Sequence, residues 1–494
     1  MRTPPPFGAC DFGLLEPFDP SAMERVKAAS AQQQLLIAAA AAQSSSHSID
    51  TSDDQDPNCL HDTGWGVIFP RDMDHAVVAK LKDALAPLFD LRFFEIYGFD
   101  SKPEARVPEG EEDLFRIFEG GAGYREGDDA AIWLDRQGVD LGQVDAKNGV
   151  PFYLLIVASP EDIPFDFQTG LDSHWGVGRI WFAHKDGQPD YAAFRRYAES
   201  VHDYEKLKRS DRAKKFAAVY ATRHAGDPAT GSLMEQLILP LLDPKTRLGV
   251  GQGFGRRAFL GGDDGPHTPG AGREILGQLL NGQLPEGRPA LVFTGCHGRF
   301  PDYQSNPEYH ELLGALIAQE WDGTPPPADD VVFAARNLEH SANLHGTIHF
   351  MFACFGLGSP QFDTYSKKDK QIAPGPILSP LPQKMLCHPN GALAVFSHVD
   401  RAYASCWQTE DEKPQISGFR GVLSSLMRGD RVGNATDQFN LIWGTRYALV
   451  DSAPDHETRA LRWLRSQDAR AFAVFGDPAV RLLVNQLEPL KEEA

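Results

Sequence analysis

Apolar stretches alternate with amphipathic stretches along most of the chain. Short apolar runs between turn signals are typical of buried strands, whereas apolar residues three or four positions apart favour helices. The apolar runs lie at 64–69, 151–167, 175–182, 215–224, 289–300, 346–358 and 391–400. The helical periodicity lies at 75–93, 191–208, 232–242, 274–280, 417–429 and 455–472. Strands that alternate with helices predict an α/β fold, in which helices flank a largely parallel sheet.

The length of the chain predicts more than one packed unit, because 494 residues are too many for one ordinary hydrophobic core. Residues 1–58 hold proline, glutamine and alanine runs and a serine-rich stretch, which favour a weakly ordered leader with a helix over 21–42. The leader is interpreted either as a solvated tail or as a removable or regulatory extension. The later pattern predicts a smaller α/β subdomain at 59–210 and a second unit at 211–494.

The charge balance narrows the classes of partner. There are 48 basic and 68 acidic residues, and 48 − 68 gives a net charge of −20. A surface with this much negative charge repels phosphate backbones, so we expect no nucleic-acid partner. It favours a basic ligand, such as a peptide that contains Arg or Lys, although the same acidity also serves solubility alone.

The number and spacing of cysteines and the hydropathy of the chain indicate a reducing compartment. The chain has 6 cysteines in 494 residues, without a CxxC pair, so a reducing compartment fits better than a disulfide framework. The first residues lack a basic start followed by an apolar run, and the apolar stretch 35–42 is short. We therefore expect a cytoplasmic protein without a signal peptide, a membrane span or a cofactor.

Two predicted strands each end in a reactive residue, with a glycine one or two positions later. They read TGCHG at 294–298 and FACFG at 352–356. Ligands of open α/β sheets bind outside the carboxyl ends of the strands, so His297 and Cys354 meet there if the two strands are parallel neighbours. Strand alternation directs Cys296 into the interior.

This pair of motifs fits nucleophilic catalysis. A lone buried cysteine or histidine is usually inert, and it is the ordered pair that predicts chemistry. The nucleophile is a thiolate, a neighbouring histidine promotes its formation and protonates the leaving amine, and the N–H groups of Gly298 and Cys354 are candidate oxyanion donors.

The two motifs resemble the His-Gly and Ala-Cys pair of caspase-like (clan CD) cysteine peptidases, in their gingipain and CHAT branches. The likeness covers roughly residues 65–483, through DIPF, VGRI and GDPAVRL. It implies a caspase–hemoglobinase-like catalytic domain at 211–494 and endopeptidase activity through a Cys–His dyad. On this resemblance Cys354 is the nucleophile, His297 the acid and base, and Gly298 an oxyanion donor.

The resemblance also implies a setting. The expected partners are a protein or peptide substrate and a regulatory protein, and the expected role lies in bacterial defence or regulated cell death. Because no signal peptide is recognisable, an intracellular regulatory protease fits better than a secreted one.

The resemblance further indicates where specificity is set. Asp400 stands where separases and some relatives carry an acidic residue that faces the P1 side chain, and a buried carboxylate there predicts Arg or Lys at P1. Asp400 could equally cap the helix expected after it, at 401–407. Asp302 and Asp363 are further acidic candidates for a basic P1 residue. Trp407 is either a wall of the P1 pocket or a core residue. Arg299 and Arg401 are the candidates for recognising an aspartate at P1.

Two other patterns predict no site. His345 and His349 have the spacing of metal ligands on a helix, but they fall where a strand begins and have no evident third ligand. Cys387 and His388 are adjacent in a turn-like segment, so their side chains diverge.

The glycine-rich stretch 249–255 lacks the GKS or GKT ending of a phosphate-binding loop and predicts a flexible loop. Arg256 and Arg257 beside it are a candidate autoprocessing site if P1 is basic. The insert 356–390 is either a lid over the site or a surface loop.

Two alternatives to an endopeptidase stay open. One is a catalytically silent caspase-like scaffold that binds a protein partner through the same cleft, although such a scaffold need not keep both His297 and Cys354. The other is a cysteine-dependent hydrolase or acyltransferase, which would carry a nucleophile elbow such as GxCxG. FACFG has Phe where that motif has its first glycine.

Overall fold

A ten-stranded sheet is the centre of the computed structural model, which describes residues 6–7, 18–23, 55–101, 106–139, 144–262, 270–366 and 369–490. Its strands, in chain order, are β1 Trp65–Ile68, β2 Phe115–Phe118, β3 Tyr153–Val157, β4 Gly176–Ile180, β5 Lys214–Ala221, β6 Gly255–Leu260, β7 Pro289–Gly295, β8 Ile348–Phe352, β9 Ala394–His398 and β10 Phe472–Gly476.

The sheet consists of two parallel halves that run in opposite directions. Its order is β2-β1-β3-β4-β10-β9-β8-β7-β5-β6, and every neighbouring pair is parallel except β10 with β9. Strands β3, β4, β7, β8, β9 and β10 are buried along their whole length, which explains their continuous apolar runs.

Helices flank this sheet, so the predicted fold class is confirmed: a largely parallel α/β sheet covered by helices. The helices are α1 Leu60–Thr63, α2 His75–Tyr97, α3 Ala130–Arg136, α4 Phe165–Leu171, α5 Tyr191–Glu205, α6 Pro228–Leu233, α7 Leu239–Leu242, α8 Arg273–Leu280, α9 Tyr309–Leu312, α10 Pro380–Cys387, α11 Ser417–Arg428, α12 Val432–Ala448 and α13 His456–Arg470. A π-helical turn over Met234–Ile238 joins α6 to α7.

Local sequence signals set the helix ends. Asp74 accepts hydrogen bonds from the N–H groups of Ala76 and Val77 at the start of α2, and Gly98 ends this helix with φ 76°. Among the described residues, three short antiparallel pairs lie outside the sheet: Pro6–Phe7 with Ala402–Tyr403, Leu316–Ile317 with Val332–Phe333, and Gly358–Ser359 with Ile377–Leu378.

Three of the predicted elements are wrong. The helix expected at 401–407 does not form, because Ala402–Tyr403 is an extended strand and only a 3-10 turn, Ala404–Trp407, follows it. The stretch that begins at residue 249 is not all flexible loop, because Gly255–Leu260 forms the edge strand β6. A partly exposed edge strand needs no continuous apolar run, so its sequence, GRRAFL, gave no strand signal. The last predicted helix ends at Arg470 rather than at residue 472, because Phe472 begins the buried strand β10.

The predicted division at residue 210 stays a prediction, since one continuous sheet crosses it. The helix predicted over 21–42 lies outside the described residues beyond Met23, as does most of the predicted leader.

A buried ionic network joins the end of β10 to the first half of the chain. Asp477 is fully buried and accepts hydrogen bonds from Trp65 Nε1 at 2.9 Å and Arg92 Nε at 2.7 Å. Its N–H donates to the hydroxyl of Tyr197 at 2.6 Å. Arg92 also pairs with Glu205 at 2.8 Å. Burial lowers the pKa of Arg92, but the surrounding carboxylates outweigh it and raise this pKa well above its usual value.

Replacing Asp477 should destabilise the chain strongly. Asp477→Ala removes the acceptor of Nε of the buried Arg92 and of the indole N–H of Trp65, while Glu205 still pairs with Arg92. We expect a loss of about 3–5 kcal/mol of unfolding free energy. Urea unfolding followed by tryptophan fluorescence measures it. The control is Glu235→Ala, which removes a carboxylate with 59% exposure from its pair with Arg223 and should cost less than about 1 kcal/mol. Equal losses in both variants would contradict a structural role for this network.

Candidate active site

The two reactive motifs lie side by side at one edge of the sheet. Strands β7 and β8 are parallel neighbours, with Gly295 opposite Phe352, and His297 and Cys354 each follow two residues later. Neighbouring strands are about 4.8 Å apart, so the two residues leave the sheet together. Gly298 lies so close that a side-chain carbon on it would overlap the main-chain carbonyl of Cys354. A glycine is therefore required at this position.

His297 is held by a carboxylate from a third strand end. Its Nε2 lies 2.6 Å from Oδ2 of Asp227, which follows β5, the strand next to β7. Asp227 also caps α6 by accepting hydrogen bonds from the N–H of Ala229 and the hydroxyl of Thr230. Burial would raise the pKa of Asp227, but its bond with His297 outweighs burial, and the pKa lies below its usual value. Asp227 is thus a carboxylate that orients the imidazole.

Two further rings enclose the imidazole of His297. His224 stacks on it with centroids 5.7 Å apart, and Trp321 meets it edge-on at 5.5 Å. Burial, followed by the charge of His297, lowers the pKa of His224 to about 4, so His224 is neutral at neutral pH. The Nδ1 atom of His224 lies 3.2 Å from the carbonyl oxygen of Trp321. These contacts fix the plane of His297.

The thiol of Cys354 is fully buried and is hydrogen-bonded to the main chain of Ala402, which follows β9. The N–H of Ala402 donates to Sγ at 3.1 Å, and Sγ lies 3.6 Å from the carbonyl oxygen of the same residue. Burial raises the pKa of this thiol well above its usual value, and the Ala402 N–H offsets only part of that shift. In this arrangement the sulfur is held as a thiol.

The residue after the thiol has an unusual backbone. Phe355 has φ 54°, a left-handed conformation that is rare and strained for a residue of this size. Its N–H donates to the carbonyl of Asp400 at 2.8 Å, and its ring stacks on Phe300 at 4.2 Å. The surrounding structure therefore imposes the sharp turn that carries Cys354.

Asp400 lines a separate small cavity, whose lining includes neither Cys354 nor His297. Its carboxylate is buried and accepts a hydrogen bond from the N–H of Arg401 at 2.6 Å. With Thr364, Tyr365 and Arg470 it lines a cavity of about 80 Å³. Burial raises the pKa of Asp400 to about 6, although the charge of Arg401 opposes the shift. Asp400 caps no helix, because Ala402–Tyr403 is extended and the 3-10 turn Ala404–Trp407 has Tyr403 at its N-cap. It is a cavity-lining acid.

The other residues considered for specificity have structural partners. Asp363 pairs with Arg401 at 2.5 Å, deep in the interior. Asp302 accepts hydrogen bonds from the N–H of Gln304 and the hydroxyl of Ser305 in a local turn. The remaining two are Trp407, which is buried against Phe352 and Phe419, and Arg299, which pairs with Asp329 at 3.1 Å.

The candidate autoprocessing residues are not in a flexible loop. Arg256 and Arg257 are half-buried in β6, paired with Ala217 and Ala218 of β5. A protease requires an extended, accessible backbone, so this placement removes the flexibility on which the prediction rested. Cleavage there stays untested.

The remaining predictions concern cysteines and histidines. Cys296 is buried as expected, and burial raises the pKa of its thiol to about 12. His345 contacts Ser200, and His349 contacts Thr347. Across the described ranges, no group of three or more His, Cys, Asp or Glu side chains is arranged to hold a metal ion. No helix in the same ranges is long and apolar enough to cross a bilayer.

The roles of Asp227 and Ala402 in the site were not predicted from the sequence. Asp227 did carry a signal, since an Asp before a Pro after an apolar run marks a helix N-cap at the carboxyl end of a strand. Its link to His297 spans 70 residues and has no sequence signature. Ala402 acts through its main chain, which no side-chain pattern reveals.

Comparisons with known proteins give distant likenesses. No protein-family model matches the sequence, and neither does any curated protein. A solved structure described as "Structure of Protease" aligns with 85% of this chain and 78% of its own, at 11% identity and a TM-score of 0.41. The Saccharomyces cerevisiae separase–securin complex aligns with 66% of this chain and 15% of its own, at 9% identity and a TM-score of 0.30. Neither likeness supports an activity for this chain by itself.

Proposed function

We propose that this chain is a cysteine endopeptidase of the caspase-like type, with Cys354 as nucleophile and His297 as acid and base. The observation that carries the proposal is the convergence of Cys354 with an Asp227-bound His297 at the carboxyl ends of adjacent parallel strands. This is where ligands of parallel α/β sheets bind. A nucleophile, a base and a group that orients the base are the parts that acyl transfer needs.

The geometry supports a defined sequence of proton transfers. Because Asp227 holds Nε2 of His297, Nδ1 is the ring nitrogen that exchanges protons with the thiol. The thiol proton passes to His297, the thiolate bonds to the scissile carbonyl carbon, and the N–H of Gly298 is the proposed donor to the oxyanion. His297 then protonates the leaving amine as the C–N bond breaks. Water, deprotonated by His297, hydrolyses the thioester and restores the thiol.

A basic P1 residue is the proposed specificity, with Asp400 as its recognition group. Asp363 and Asp302 are engaged elsewhere, whereas Asp400 lines a cavity and follows the strand next to that of Cys354. Burial makes the Asp400 anion costly, so a cationic side chain nearby would stabilise it. The net charge of −20 also favours basic peptides. The cytoplasmic setting belongs to the same proposal.

One observation favours a second candidate function. The buried thiol, with its raised pKa and its bond to Ala402, is unreactive as arranged. This state fits a silent scaffold that binds a protein partner through the cleft. It fits an enzyme if binding of the substrate rearranges the residue 402 region.

Turnover of fluorogenic peptides tests the nucleophile. With Arg, Lys, Asp or Leu at P1, we expect cleavage of the Arg and Lys peptides, and Cys354→Ala should lower it by roughly 10³-fold or more. Cys296→Ala is the matched control, because it removes a neighbouring buried thiol and should keep its activity. Turnover that survives Cys354→Ala would contradict the assignment. No turnover by any variant would favour the scaffold.

Asp227→Asn should impair catalysis without unfolding the site. Asparagine still caps α6, but it lacks the charge that stabilises the imidazolium, so we expect kcat to fall on the order of a hundredfold with KM little changed. Steady-state kinetics measure the split between kcat and KM, and partial recovery in Asp227→Glu would support the positioning role. The control is Asp455→Asn at the exposed N-cap of α13. A loss seen in KM alone would contradict this role.

The preference for basic peptides should depend on pH through Asp400. Its carboxylate is charged above a pKa of about 6, so the ratio of kcat/KM for Arg over Leu peptides should fall as the pH drops through about 6. Asp400→Asn should give a low ratio that does not vary with pH between 5 and 8. A wild-type ratio that is flat over this range, or unaffected by Asp400→Asn, would place the specificity group elsewhere.

A further inference from the structure

The main chain that holds the thiol is also paired with the beginning of the sequence. Ala402–Tyr403 and Pro6–Phe7 form an antiparallel pair, with Phe7 opposite Ala402 and Pro6 opposite Tyr403. Ala402 is the residue whose N–H and carbonyl contact Sγ of Cys354. Paired strands lie about 4.8 Å apart, so Pro6–Phe7 runs directly beside the residue that binds the sulfur.

The same two residues reach the other side of the site. Pro6–Phe7 lies against α6, the helix whose N-cap Asp227 holds His297. The segment therefore contacts one element on the thiol side, Ala402–Tyr403, and one on the imidazole side, α6.

Residues 18–23 pack against residues near the Ala402–Tyr403 pair. The N–H of Asp19 donates to the carbonyl of Tyr365 at 3.0 Å, and the ring of Phe18 stacks on Trp463 with centroids 6.2 Å apart. Met23 is fully buried in a cluster that includes Tyr365, Tyr403 and Trp463. Tyr403 thus contributes its main chain to the pair with Pro6 and its side chain to the cluster around Met23.

We propose that residues 6–7 and 18–23, here called the covering segment, occupy the peptide-binding edge at Ala402–Tyr403 and shield Cys354 until a substrate or partner displaces them. An unpaired strand edge is a template for an extended peptide, which it binds mainly through the main chain. The occupant is a segment of this chain itself. Latency rests on the proposed peptidase function, whereas the shielding of Cys354 does not.

Covering explains the environment of the thiol. Cys354 is fully buried, although it stands at the sheet edge where ligands of this fold class bind. The covering segment supplies apolar anchors, Phe18 and Met23, at a distance from the two residues that pair with the site. Release of the anchors would therefore uncover the thiol without touching Cys354, His297 or Asp227.

The test measures alkylation of Cys354 by iodoacetamide in the full-length chain, with each cysteine followed by mass spectrometry. The double variant Phe18→Asp/Met23→Asp places charges in the apolar cluster and should release the covering segment. We expect Cys354 to react about tenfold faster or more than in the wild type, because the covered state loses the apolar packing of half-buried Phe18 and buried Met23. The matched control is Val250→Asp, at a residue with 48% exposure, and it should leave the rate unchanged.

Two further measurements show whether each variant is folded and whether the effect comes from the covering segment. Buried Cys296 reports folding, since its alkylation must stay slow in every variant. If it accelerates, the milder Phe18→Ala/Met23→Ala variant replaces the charged one, with the same expected direction. A synthetic peptide of residues 1–23, added to the released variant, should slow alkylation of Cys354 again, whereas a scrambled peptide should not.

The outcomes separate this inference from the proposed function. Unchanged alkylation of Cys354 in folded variants, or no effect of the added peptide, would overturn the covering role. Fast alkylation without cleavage of any peptide would support covering and overturn the peptidase. Cleavage that increases in the released variant in parallel with alkylation would support both.

Discussion

The antiparallel pairing of β9 with β10 is the constraint on which the arrangement of the chain depends. Strand β10 comes from the end of the sequence, yet it lies between β4 and β9 at the centre of the sheet. It pairs in parallel with the first half and in antiparallel with the second, so both halves share one hydrogen-bonded core. Asp477, which follows β10, then binds Trp65 and Arg92 of the first half. A buried charge of this kind is tolerated only when its partners are in place.

The order of strands in the second half builds the candidate site. Four adjacent strands, β9, β8, β7 and β5, each continue into one residue of the site: Ala402, Cys354, His297 and Asp227 in that order. Because these strands are parallel, their carboxyl ends lie at the same edge. The residues are far apart in sequence but follow one another along this edge. Each contributes one part of the chemistry: a main-chain donor, a thiol, an imidazole and a carboxylate.

Burial and reactivity oppose each other at Cys354. The apolar surroundings that stabilise the strand ends also disfavour a thiolate, which is the reactive form. His297 is better prepared, because Asp227 already holds it and the rings of His224 and Trp321 fix its plane. In the proposed mechanism the base is thus organised before the nucleophile is exposed. The proposed covering segment would therefore need to shield only the thiol.

The sequence by itself determined the α/β class, the strand ends that carry His297 and Cys354, and the buried position of Cys296. These follow from local rules, because a strand buried on both faces needs a continuous apolar run and its side chains alternate between the two faces. Edge strand β6 was missed for the same reason: it is half-exposed and carries no such run.

Only the tertiary structure decided which groups act on these residues. Asp227 reaches His297 across 70 residues, and Ala402 reaches Cys354 across 48. Asp363 was a candidate specificity residue from its position in the sequence, but it forms a buried ion pair with Arg401 instead. Hydrogen bonds and ion pairs depend on distances of about 3 Å between atoms, and the order of strands in the sheet sets those distances without regard to separation along the chain.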